Sequence, residues 1–152
     1  MSIILEKSHL AEIQQHGVAT YPHECCGFLF GRIEENRRLV QQTRRAQNQR
    51  SDSPHNRYQI SPQEYMRAER LAAETGLEIV GFYHSHPDHP ARPSQFDLEN
   101  AWPGLVYVIV GVYAGNPDKM TAWILQDDRS RFLPEEIVTQ TFPSVIEDLQ
   151  RQ

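Results

Sequence analysis

Apolar residues in this chain fall into short runs with two different periods, and the alternation of those periods predicts most of its elements. Leu10 and Ile13 lie at helical spacing between Ser8 and His16, and Gly17 reads as the stop of that short helix. Residues 25–31, Cys-Cys-Gly-Phe-Leu-Phe-Gly, are continuously apolar, the pattern of a strand buried on both faces. Glu34-Glu35-Asn36 predicts a turn and residues 38–43 a returning strand. Ser61 suits an N-cap, Pro62 the first helical position, and Glu64 the partner that closes a capping box. Tyr65, Ala68 and Ala72 then recur at helical spacing up to Gly76, which can adopt the left-handed conformation that ends a helix. A strand over 78–86, a proline-studded loop over 87–93 and a short helix from Ser94 to about Ala101 follow. Two more strands, 105–113 and 120–125, flank a turn at 114–118. Beyond Pro134 the pattern suggests one or two helical turns, interrupted by Pro143.

Helix, two strands, helix, strand, helix, two strands is the order of a single α/β domain whose helices cover a mixed sheet. Its 152 residues suffice for one core and show no internal repeat or dividing linker. With 39% hydrophobic and 23% charged residues, the composition is that of a globular chain and not of a disordered one. A net charge of −5 argues against nucleic acid as a partner, because phosphate neutralisation needs a basic face. The basic residues Arg37, Arg38, Arg44, Arg45 and Arg50 are interrupted by polar ones and read as a solvated surface. Met1-Ser2-Ile3-Ile4-Leu5-Glu6 lacks the basic-then-apolar pattern of a signal peptide, and no run approaches the roughly 20 apolar residues of a membrane span. The expectation is therefore a cytoplasmic protein without a membrane partner. The two cysteines, Cys25 and Cys26, are adjacent on an extended strand, so they point apart and read as buried reduced thiols.

The chemistry concentrates in residues 84–97, His-Ser-His-Pro-Asp-His-Pro-Ala-Arg-Pro-Ser-Gln-Phe-Asp. Residues two apart on a strand share a face, so His84 and His86 aim both imidazoles one way. Ser94 and Asp97, three apart, share a helix face. A tight loop folding that helix over the strand end brings Asp97 to the histidines. Two His and a carboxylate are a familiar ligand set for catalytic zinc, which keeps a fourth position for water. Each part also has a structural reading: His-x-His as core or surface, and Ser94 with Asp97 as an N-cap and an acidic residue in the first turn. Their combination favours the metal. His89 could approach the metal and Arg92 could meet a substrate carboxylate or backbone, but the loop favours reading both as solvated residues. His9, His16, His23 and His55 read as structural or exposed, Tyr83 and Tyr107 as core, and Asp127-Asp128 as a turn after the last strand.

His84-Ser85-His86-Pro87, with seven residues (87–93) between His86 and Ser94, and Asp97 three further on resemble the signature of the JAMM (MPN+) zinc metallopeptidases. Residues 21–31, with Glu24, are similar to the upstream segment of the compact prokaryotic type. The loop from Asn48 to Tyr58, with Ser53-Pro54 and Arg57-Tyr58, and the capped helix after it extend the likeness over residues 5–127.

The resemblance implies a cytidine-deaminase-like three-layer α/β/α fold with a mixed central sheet. The catalytic domain would span residues 1–130, with 131–152 as a C-terminal extension of the same domain. It implies one Zn²⁺ per chain on His84, His86 and Asp97. Glu24 would act as general base towards the attacking water and then deliver the proton to the leaving amine, and Ser94 would stabilise the oxyanion. The chain is too short for the insertions of eukaryotic relatives that recognise ubiquitin chains. The substrate implied is instead a ubiquitin-like sulfur-carrier protein, cut at the amide bond after its C-terminal Gly-Gly. Two other functions remain open from the residues: a zinc hydrolase acting on a small-molecule or cell-wall peptide, and a non-catalytic MPN-type scaffold that binds proteins.

Overall fold

A computed structural model describes residues 2–49 and 58–140. In chain order the elements are β1 (Ser2–Glu6), α1 (Lys7–Thr20), β2 (Cys26–Glu34), β3 (Arg37–Ala46), α2 (Pro62–Glu74), β4 (Glu78–Pro87), α3 (Gln95–Asn100), β5 (Val106–Tyr113), β6 (Asn116–Leu125) and β7 (Phe132–Gln140). The strands form one mixed sheet in the order β1-β3-β2-β4-β5-β6-β7, which closes on itself because β1 pairs in parallel with both β3 and β7. The α/β class, the single domain and the mixed sheet are as the sequence implied.

Side chains alternate across this sheet and divide the core in two. Tyr83, Leu29, Val106, Val108 and Val110 pack on one face with Ile13 of α1. Phe28, Phe30, Phe82 and Tyr107 pack on the other with Ala68 and Ala72 of α2. Strand β4 lies between β2, antiparallel to it, and β5, parallel to it. A parallel neighbour requires a crossover, and the crossover from β4 to β5 carries the 88–94 loop and α3. Residues at the carboxyl end of β4 are thus delivered to the place where ligands gather in sheets with parallel strands.

Several elements differ from the sequence expectation. Strand β1 was not expected, and residues 132–140, read in part as helical turns, form β7 instead. Pro134 sits opposite Trp123 in the β6–β7 ladder. The Asp127-Asp128 turn therefore follows β6, which is not the last strand. Helix α1 runs through Gly17, because that residue faces β5: a Cβ there would lie 3.0 Å from Val112 Cγ2. Gly17 allows a close approach and does not end the helix. At α2, Ser61 accepts the Glu64 N–H as a cap should, but the Glu64 carboxylate reaches out to the Gln47 N–H at 2.8 Å, so the box is not closed. Gly76 takes the left-handed conformation expected of it (φ 73°). Arg38, read as solvated, is buried, its guanidinium 3.4 Å from Val80 O. Cys25 and Cys26 are buried free thiols, and Tyr83 and Tyr107 are core residues. The readings for Arg50, Ser53, Pro54, His55, Arg57 and Pro143 fall outside the described residues. Among the described residues no helix is long and apolar enough to cross a membrane.

Candidate metal centre

His84 and His86 continue the row begun by Phe82 on the α2 side of β4, and both are buried. Ser94 caps α3: its Oγ accepts the Asp97 N–H at 3.1 Å, while the Asp97 carboxylate accepts the Ser94 N–H at 2.9 Å. This reciprocal box fixes the Asp97 rotamer and turns Oδ2 towards the strand end. The structural and chemical readings of Ser94 and Asp97 therefore coincide, because the cap is what aims the carboxylate.

Three atoms meet there. His84 Nε2 and His86 Nε2 are 3.2 Å apart, and Asp97 Oδ2 lies 3.3 Å from the first and 3.2 Å from the second. His86 Nδ1 donates to Pro90 O at 2.7 Å, so in the neutral ring Nε2 carries the lone pair. That lone pair faces a carboxylate oxygen across 3.2 Å, an arrangement of two acceptors that calls for a cation between them. Ligands about 2.0–2.1 Å from a tetrahedral zinc lie about 3.3 Å from one another, so the triangle has the size such an ion needs. His84, His86 and Asp97 could thus hold a metal, and zinc suits their donor set.

Glu24 follows the loop after α1, with Oε1 3.9 Å from His86 Nε2. It is 2% exposed, and its Oε2 has no hydrogen-bond partner among the described residues. Burial, and next the charge of Asp97, push its carboxyl up to about 9. Asp97 moves the other way. Burial alone would raise it, but the His84 imidazole, first by its charge, the His86 imidazole, where these rings are protonated, and the Ser94 N–H hold it well below the usual carboxylate range. Two carboxyl groups in one pocket are therefore driven apart, one readily protonated and one held as an anion, which is the pattern of a proton-transfer group beside a ligand.

Three contributors were not read from the sequence. Ser85 projects from the opposite face of β4, accepts the Cys25 N–H on its Oγ at 2.8 Å and so pins the residue beside Glu24. Its place between the two histidines was the available signal. The Tyr58 ring stacks on His84, with centroids 4.6 Å apart. The Pro90 carbonyl sets the His86 tautomer. His89 is no solvated loop residue: it is half-buried and stacks on His86 with centroids 4.2 Å apart. Arg92 is exposed, as expected. Beside Asp97 opens a cleft of about 210 Å³, lined among others by Tyr58, Ile60, Phe96, Asn100 and Trp102.

Residues 6–126 match the family described as prokaryotic homologs of the JAB domain. The desampylase of Haloferax volcanii is 34% identical over 128 residues, covering 83% of this chain and 86% of that protein. The probable TtuB-protein conjugate cleaving protease of Thermus thermophilus is 31% identical over 102 residues, 67% of this chain and 65% of its own. A solution structure of a protein from Desulfitobacterium hafniense superposes with a TM-score of 0.81 at 30% identity, covering 92% of this chain and 94% of the other. The class is thus that of the metallopeptidase-type hydrolases. Within it, the chain belongs to the prokaryotic JAB-domain family, the compact JAMM type, whose members depend in general on zinc.

Proposed function

We propose that this protein is a zinc-dependent isopeptidase that hydrolyses the amide bond after the C-terminal Gly-Gly of a ubiquitin-like sulfur-carrier protein. The observation that carries the reading is the convergence of His84 Nε2, His86 Nε2 and Asp97 Oδ2 within 3.3 Å, with a buried carboxyl at their side. The names of the Haloferax and Thermus relatives support the substrate class. So does the burial of the ligands, since glycines can bring a carbonyl to such a centre without a side chain in the way.

His84, His86 and Asp97 would hold one zinc ion per chain. When bound, the ion supplies an acidified water and a Lewis acid for the scissile carbonyl. The Pro90 carbonyl keeps the His86 proton on Nδ1, so that Nε2 would be the atom offered to the ion. Glu24 takes the proton from the attacking water, for which the unpartnered Oε2 is available, and returns it to the leaving amine. The Ser94 Oγ accepts the Asp97 N–H and keeps its own proton to donate to the carbonyl oxygen as charge develops on it.

The catalytic unit is residues 1–130, with 131–152 as its extension; the pairing of β7 with β1 and β6 supports one domain. A cytidine-deaminase-like three-layer arrangement is the proposed finer fold, supported by α1 packing on one side of the sheet and α2 on the other. The cytoplasm is the proposed compartment, in keeping with two buried free thiols. The test is incubation of zinc-loaded protein with a carrier whose terminal Gly-Gly is joined to an amino acid. Mass spectrometry should find free carrier and free amino acid, and intact adduct would overturn the proposal.

A further inference from the structure

A second group of ligand atoms overlaps the first. One atom each from Glu24, His86 and His89 lies within 4.8 Å of the other two. The His89 Nδ1 donates to Pro87 O at 2.8 Å, which in the neutral ring leaves the Nε2 lone pair free. Stacking on His86, at 22° between ring planes, holds that ring in place. Glu24 is almost wholly buried, yet its Oε2 has no partner among the described residues. A buried carboxyl oxygen left without a hydrogen bond is costly, and a cation would relieve that cost.

We propose that Glu24 and His89 form a second cation site beside the first, which takes a divalent ion such as zinc and silences the enzyme by occupying the Glu24 carboxylate. The proposal rests on the reading of His84, His86 and Asp97 as the first site. His86 has a single Nε2, and an ion held by the first set uses it. The second ion therefore gains only two ligands from the protein, a carboxylate oxygen and an imidazole nitrogen, and solvent completes its shell. A mixed oxygen and nitrogen set of this kind suits zinc and its neighbours in the first transition row and not calcium. With fewer protein ligands the second ion binds more weakly than the first. Low zinc therefore activates and higher zinc inhibits. Glu24 is the one residue common to both outcomes: it moves the proton when free and is withheld from that role when bound.

The test is calorimetric titration of zinc into protein already carrying one equivalent, with hydrolysis of the carrier adduct followed at the same zinc concentrations. Wild-type protein should take up a second, weaker equivalent, and hydrolysis should fall as it binds. His89→Phe keeps an aromatic ring against His86 but removes the ligand nitrogen. It should retain the first equivalent and basal hydrolysis. The second equivalent should weaken by more than the roughly 10–100-fold that loss of an outer-shell partner costs, and zinc inhibition should disappear with it. A second equivalent that persists in His89→Phe, or is missing from wild type, overturns the proposal. Loss of the first equivalent in His89→Phe also overturns it, by assigning His89 to the first site. Failure of wild-type protein to bind even one equivalent refutes the first site itself, and the missing first equivalent distinguishes that result from the others.

Discussion

Strand β4 has two buried faces, and they handle polar atoms in opposite ways. On the α1 face, Tyr83 OH meets His16 Nδ1 at 2.7 Å and Ser85 Oγ accepts the Cys25 N–H at 2.8 Å, so both of these β4 hydroxyls are matched. On the other face, His84 and His86 converge on Asp97, and His84 Nδ1 and Glu24 Oε2 are left unmatched among the described residues. Burial is nearly equal on the two sides: Tyr83 and Ser85 are 1% and 0% exposed, His84 and His86 0% and 1%. Burial alone therefore does not mark a functional site. Polar groups satisfied within the fold hold it together, whereas acceptors turned towards one another need something from outside.

Substitutions on the two faces should separate these roles, and the largest effect is expected at Glu24. Glu24→Gln should lower turnover of the carrier adduct by about 10²–10⁴-fold, the usual contribution of general acid–base catalysis, while metal analysis still finds one zinc per chain. Asp97→Ala should lose the zinc as well as the activity. Full turnover in Glu24→Gln would remove the chemical distinction between the faces. Ser94→Ala should follow, with kcat lower by about 10²–10³-fold for the lost oxyanion donor and stability lower by about 1 kcal/mol for the lost cap. Denaturant unfolding beside kinetics would separate the two losses.

On the paired face, Ser85→Ala should act mainly on folding. It strands the buried Cys25 N–H, at a cost of about 1–3 kcal/mol, and zinc affinity should change less than in Asp97→Ala. The last effect is that of pH. Burial, and next the charge of Arg45, lower the His16 pKa to about 4, below the value near 6.5 of the unfolded chain. The unfolded chain then binds the extra proton between those values, so stability is fully present above about pH 6.5 and declines towards pH 4. Thermal melts across that window should show the decline, and His16→Gln should flatten it.

The legibility of this molecule in its sequence followed the distance over which each feature is decided. His84, His86, Ser94 and Asp97 lie within 14 residues, and strand alternation, a loop and a capped helix determine their geometry locally. Glu24 is far from them in sequence and was legible only through the likeness of residues 21–31 to a family. Strands β1 and β7 were missed because a five-residue segment and a segment carrying Pro134 become strands by pairing with each other and with distant partners. Gly17 was misread because its reason for being glycine, the side chain of Val112, lies in another element. His89 was misread for the same reason. Its position in a proline-rich loop suggested solvent, and only the folded loop lays it on His86.

Helix α3 has six residues, far fewer than the roughly 12–15 below which an isolated helix is marginal in water. Its first turn is tied through Asp97 to the place where the two imidazoles meet. Stripping the ion should therefore loosen the turn as well as the chemistry. Amide hydrogens of residues 97–100 should exchange faster in chelator than in zinc, making this helix a built-in reporter of whether the enzyme is charged.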